Sequence, residues 1–129
     1  MKTVWVHRDI AAPAEKVWEL LTDVDCWPDW GPTVRRAELD GDSFEVGANG
    51  TVTTSIGVTL PFEITECDPG TRWTWTVAGI PATDHAVVAL GSDRSRAGFG
   101  VPWLAAPYLG VCAVALRKLE SMAVGNGLD

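Results

Sequence analysis

Only two histidines, His7 and His85, stand in this sequence of 129 residues, and an imidazole is the one side chain whose ordinary titration falls near neutral pH, fit for acid, base or hydrogen-bond work. His85 sits in residues 83–90, where alternation marks a strand, so the turn before it decides which way it points. A four-residue loop over 79–82 turns it away from Trp75; a three-residue loop sets it opposite Trp75, inside the molecule. A solvent-facing or structural imidazole and a catalytic one both stay open. Tyr108, the single tyrosine, offers its hydroxyl either to the polar end of a ligand or to solvent. Arg8 falls at an apparently inward position of the first strand, where a guanidinium needs a carboxylate or ligand beside it unless an edge location keeps it wet.

Other chemistries find little support. Two histidines without a repeated carboxylate–histidine spacing make no metal centre, and no cofactor is expected. No Gly-x-Ser-x-Gly elbow marks a serine nucleophile. No glycine motif enters a helix to hold phosphate, and Gly47-Ala48-Asn49-Gly50 reads as a hairpin turn. Cys26, Cys67 and Cys112 are widely spaced and odd in number, which fits free thiols in a reducing cytosol. A net charge of −7 with scattered Lys and Arg repels a phosphate backbone, so nucleic acid is not an expected partner.

The elements that must position these residues follow from hydrophobic spacing. Strands are expected at 3–10, 34–39, 51–56, 59–67, 71–78, 83–90 and 94–101, with turns at Asp68-Pro69-Gly70 and Gly79-Ile80-Pro81. A first helix opens at Pro13, takes Glu15 at its positive end, buries Val17, Trp18, Leu20 and Leu21 and ends near Thr22. Asp25 is placed to cap a short second helix that turns Cys26, Trp27 and Trp30 inward before Gly31 and Pro32. The longest helix is expected from Pro102 to about Ala123, its N-terminal part weakened by Pro107. The apolar run 101–116 is too short to span a bilayer and reads as buried helix. Lys2 and the mixed stretch with His7, Arg8 and Asp9 lack the apolar core of a signal peptide, so a cytoplasmic location is expected.

Pro69 and Gly70 fit the two central positions of a type II turn. Whether that hairpin closes at 68 with 71 or at 66 with 71 in a looser loop, Phe62 and Ile64 share a side with Trp73, Trp75 and Val77, opposite Thr74 and Thr76. Apolar content of 47% with seven tryptophans supplies one filled core, and 129 residues suit a single domain over 1–129. The fold class is α+β, in the order β-α-α-β-β-β-β-β-β-α, with seven antiparallel strands curved around the last helix.

The stretch Pro13-Ala14-Glu15-Lys16-Val17-Trp18-Glu19-Leu20-Leu21, followed by Trp27-Pro28-Asp29-Trp30-Gly31-Pro32, resembles the opening of the START-like polyketide cyclase/dehydrase and lipid-transport superfamily, the helix-grip fold of the birch-pollen allergen. Phe44-Glu45-Val46-Gly47, Trp73-Thr74-Trp75 and the apolar terminal helix extend the likeness over essentially the whole chain. The resemblance implies a cavity between sheet and terminal helix for lipids, sterols, polyketides or other hydrophobic molecules. It carries over no catalytic residue, since some members catalyse cyclisation or dehydration and many only bind.

Three functional expectations follow. The first is a binder of a small hydrophobic molecule, held by Phe62, Trp73, Trp75, His85 and Tyr108. The second is a cyclase- or dehydrase-like enzyme in which His85, with Tyr108 or Arg8, handles protons. The third is an interaction module, with Trp103, Leu104 and Leu109 as a patch for a partner or a homodimer. No membrane insertion is expected.

Overall fold

The computed structural model describes residues 2–125; Met1 and residues 126–129 of the expected 1–129 domain lie outside the described residues. Period-two alternation places β1 (Thr3–Ile10), β2 (Val34–Asp40), β3 (Asn49–Thr54), β4 (Thr59–Asp68), β5 (Arg72–Val77), β6 (Ile80–Gly91) and β7 (Arg94–Pro102) in one antiparallel sheet, ordered β1-β7-β6-β5-β4-β3-β2. The class is α+β, and the element order matches that expected from the sequence.

Between β1 and β2 the chain crosses one face of the sheet. Pro13 precedes α1 (Ala14–Thr22), which buries Val17 and Leu21, and a 3₁₀ turn (Val24–Cys26) leads into α2 (Trp27–Trp30). The last carbonyls of a helix have no intrahelical partner. Here the indole N–H groups of Trp27 and Trp30 donate to Leu21 O at 3.0 Å and Leu20 O at 2.9 Å. The same two side chains thus finish α1 and seat α2. Asp25 is not the cap: Asp23 accepts from the Asp25 N–H, because the chain enters a 3₁₀ turn first and α2 starts later.

The terminal helix is shorter than expected. Val101 and Pro102 end β7, Trp103–Tyr108 form a 3₁₀ segment, and α3 spans Leu109–Ala123. Pro107 lacks the amide that a continuous α-helix requires at that point. α3 presses Cys112, Ala115, Leu116, Leu119 and Ala123 into the core. Arg8, on edge strand β1, shares the side of core residue Ala97 but stays exposed at the sheet edge, where it donates to Glu120 of α3 at 2.6 Å.

The connection expected at Gly47–Gly50 runs instead over 41–48, and Asn49 and Gly50 already belong to β3. Gly50 has a packing reason to be there, since a Cβ would strike the Glu38 carbonyl and come within 2.5 Å of the Phe62 ring. On the other face, Trp5 and His7 stack at 5.8 Å over Gly98 and Gly100, whose missing side chains make that room. Gly50→Ala is expected to lower stability by about 1–3 kcal/mol through this overpacking, read from urea unfolding as a lower midpoint at unchanged slope.

Candidate functional site

Four strands, two helices and the 3₁₀ segment converge on one recess, and a strand irregularity decides its chemistry. β5 and β6 meet through a two-residue turn, Ala78 and Gly79, both at positive φ, the geometry of a tight hairpin. Continued without interruption, the pairs Val77↔Ile80 and Thr76↔Pro81 would put His85 opposite Arg72 and outward. Between Thr76↔Pro81 and Thr74↔Asp84, however, β6 holds one residue more than β5. This bulge flips the parity. His85 therefore pairs with Trp73 and points inward, reached by neither of the loop lengths weighed from the sequence.

Burial there is nearly complete, with His85 3% exposed. Its ring stacks on Trp73 at 3.8 Å and 15°, with Phe99 edge-on at 5.2 Å and Trp75 at 5.9 Å. Nδ1 lies 3.4 Å from the Trp73 carbonyl. A carbonyl only accepts, so Nδ1 carries the hydrogen and Nε2 keeps a lone pair. Nε2 makes no hydrogen bond among the described residues. Loss of hydration pushes the imidazole down from 6.5 to about 3, against a small opposing effect of the Trp73 carbonyl. His85 is neutral at physiological pH.

The recess measures about 60 Å³ and is bounded by Trp30, Trp73, Trp75, His85, Phe99 and Cys112, among others. It adjoins a groove of about 520 Å³ that runs past Thr54, Leu60, Val77, Ile80 and Leu104. Thr33, Val34, Trp75, Thr83 and Tyr108 border both. At this neck the Tyr108 and Thr33 hydroxyls share a hydrogen bond of 3.0 Å. No described residue bordering either space carries a charge. Two indole donors of the wall, Trp73 Nε1 and Trp75 Nε1, are buried and lack a partner among the described residues. Leaving such a donor unpaired costs about 1–3 kcal/mol. Cys112 borders the recess too, but burial pushes its thiol up to about 11, so it is no ready nucleophile.

Of the residues singled out from the sequence, Trp73, Trp75, His85 and Tyr108 come together. Phe62 shares their face of the sheet but packs at 5.5 Å from Trp27 and 5.4 Å from Trp75 and borders neither space. Its side is set as expected, helped by Thr65, an extra residue of β4 between Ile64↔Trp75 and Glu66↔Thr74. Arg8 stands outside. Phe99 was missed, although Ala97, Phe99 and Val101 alternate and are all buried. Trp30 was read as packing alone, yet it is also wall. Among the described residues no group of acidic, Cys and His side chains is arranged to hold a metal, and no helix is long and apolar enough to cross a membrane.

A sheet gripping a terminal helix, with an apolar recess between them, is the setting in which comparison with known proteins becomes informative. The family described as polyketide cyclase / dehydrase and lipid transport matches residues 1–102. The chain belongs to that family. No curated protein matches it by sequence. Among solved structures, the chain is similar to the Zhui aromatase/cyclase of Streptomyces sp. R1128, at 15% identity and TM-score 0.75 over 97% of this chain and 94% of that one. It is similar also to the protein XoxI of Bacillus cereus, at 18% identity and TM-score 0.74 over 96% of both. A third similar structure is the Aha1 dimer of Colwellia psychrerythraea, at 18% identity and TM-score 0.69 over 95% and 96%. At such identities the likeness establishes the helix-grip fold of the family, not a shared ligand.

The depressed His85 pKa has a measurable consequence. Unfolded chains take up a proton at this residue below about pH 6.5, whereas the folded protein refuses it until about 3. Stability due to neutral His85 is thus whole above 6.5 and lost as pH falls through that window. Urea unfolding is expected to show wild type losing stability faster than His85→Gln between pH 6.5 and 4, by up to about 1.4 kcal/mol per pH unit. Parallel curves would place a titrating, solvated imidazole at position 85.

Proposed function

We propose that the protein binds a small, uncharged, apolar molecule carrying a hydrogen-bonding oxygen, with its ring system in the recess and its remainder along the groove. The observation that carries this reading is the combination of a wholly uncharged wall with unpaired polar atoms: two indole donors and the Nε2 acceptor of His85. A carbonyl or hydroxyl on the ligand finds polar groups on the bordering residues His85, Thr33, Thr83 and Tyr108, while a carboxylate, phosphate or ammonium finds no counter-charge and bears its full desolvation penalty. Trp73, Trp75 and Phe99 supply flat apolar area at low entropic cost. The family's description, which includes lipid transport and polyketide chemistry, supports the same substrate class.

Proton transfer in this cavity is the second reading, and the aromatase/cyclase likeness favours it. His85 and Tyr108 border one recess, so a substrate there meets an imidazole lone pair and a hydroxyl. An imidazole with a pKa of about 3 accepts a hydrogen bond more readily than a proton at neutral pH, which favours the carrier. Arg8, clasped to Glu120, lies outside the site.

Titration with the neutral dye Nile red is expected to give saturable emission enhancement, with quenching of tryptophan fluorescence. Val111→Phe, which fills the recess from α3, is expected to weaken binding about tenfold or more with the thermal midpoint little changed. Saturable binding that survives this substitution would move the ligand out of the recess. Mass spectrometry of a β-hydroxyketone incubated with the protein separates the two readings: unchanged mass supports the carrier, and loss of water the dehydrase.

A further inference from the structure

The opening of the groove has a surface unlike the rest of the molecule. Antiparallel register brings the start of β1, the start of β2, the β3–β4 turn, the β5–β6 turn and the end of β7 to one end of the sheet. The groove itself draws its lining from most of these segments. Of the ten large apolar side chains exposed among the described residues, six sit at this end: Ile56, Val58, Ile80, Trp103, Leu104 and Tyr108. Ile56 at 83%, Leu104 at 70% and Ile80 at 67% are nearly bare. Ile80, Leu104 and Tyr108 border the groove itself; single exposed apolar residues are ordinary, but six at one end of the sheet beside an apolar groove mark a docking surface.

Charge divides along the same line. The chain has 17 acidic residues, yet none falls in 2–3, 33–36, 53–60, 76–82 or 101–109, the stretches around the opening. The nearest along the chain are Asp29, Glu38, Glu63 and Asp84. The same stretches carry Lys2 and Arg35, both exposed and without an ion pair among the described residues. Arg35 donates only to the Ser55 carbonyl, at 3.0 Å. Arg36, beside it, reaches Glu38 at 3.9 Å. A protein of net charge −7 therefore has one face that is apolar and locally positive.

From these two patterns we infer that the mouth of the groove docks on an anionic lipid surface. Ile56, Ile80 and Leu104 enter the headgroup layer, and Lys2 and Arg35 face lipid phosphates and carboxylates. The chain's net charge of −7 weakens approach to an anionic surface by its acidic faces. A second copy of this chain would bury the same apolar ring but carries the same positive charges, which gives it no complement. Docked in this way, the groove opens against acyl chains, and an apolar ligand passes between bilayer and recess without crossing water. Docking does not require an occupied recess, so it is tested on ligand-free protein and stands or falls apart from ligand binding.

The test is co-sedimentation with vesicles of phosphatidylcholine, with and without phosphatidylserine, at low and at physiological salt. Binding is expected only with phosphatidylserine and is expected to weaken as salt rises. Leu104→Asp and Ile80→Asp are expected to abolish it, Lys2→Gln to reduce it roughly fivefold, and Val88→Asp, an exposed residue on a distant stretch of β6, to leave it intact. Absence of sedimentation with the phosphatidylserine vesicles overturns the inference, as does full binding by Leu104→Asp. Sedimentation velocity showing self-association that Leu104→Asp abolishes also overturns it, and assigns the ring to a second copy.

Discussion

The stack of Trp27, Trp73 and His85 is the contact on which the rest of this structure depends. Trp27 lies parallel to Trp73 at 5.4 Å, and Trp73 lies nearly parallel to His85 at 3.8 Å. Trp27 belongs to a helix of a single turn that has little stability of its own. Its indole N–H holds the end of α1, and its ring face lies on the sheet, so one side chain joins three elements. Loss of Trp27 would remove its ring contacts with Trp73, Trp75 and Phe62, leave α2 with Trp30 against His85 and Phe99, and take one wall from the recess.

Functional chemistry follows from how the stack ends. On the Trp27 side every indole donor is answered by a backbone carbonyl of α1. On the sheet side the donors of Trp73 and Trp75 are unanswered, and His85 spends its one hydrogen on a backbone carbonyl and keeps a lone pair. Buried polar atoms are nearly always paired. Trp73, Trp75 and His85 all border one uncharged recess, and this is the observation behind the proposed ligand.

Much of this was legible in the sequence where local chemistry decides the geometry. Pro69 and Gly70 mark the hairpin between β4 and β5, and period-two alternation sets the common side of Trp73 and Trp75, although the hairpin closes at Asp68↔Arg72 rather than at 71. Pro13 and the apolar spacing behind it specify α1. The direction of His85 was not legible, because it depends on one extra residue in β6, and a bulge leaves alternation intact on either side of itself. The sidedness of Phe62 survived for a similar reason, since Thr65 supplies a compensating extra residue in β4. The run 101–116 misled because apolar composition does not mark where a buried strand gives way to a helix. Arg8 shows the opposite limit: alternation gave its side of β1, but only the edge position and Glu120 explain why a charge is tolerated there.

The most direct test of the account follows the seven indole N–H resonances in a proton–nitrogen correlation spectrum as 2-acetylnaphthalene, a neutral aryl ketone, is added. Downfield movement of the Trp73 and Trp75 signals, with Trp27 and Trp30 held in place by their carbonyl partners, is the predicted result. Saturable binding that leaves the Trp73 and Trp75 signals unmoved would contradict it.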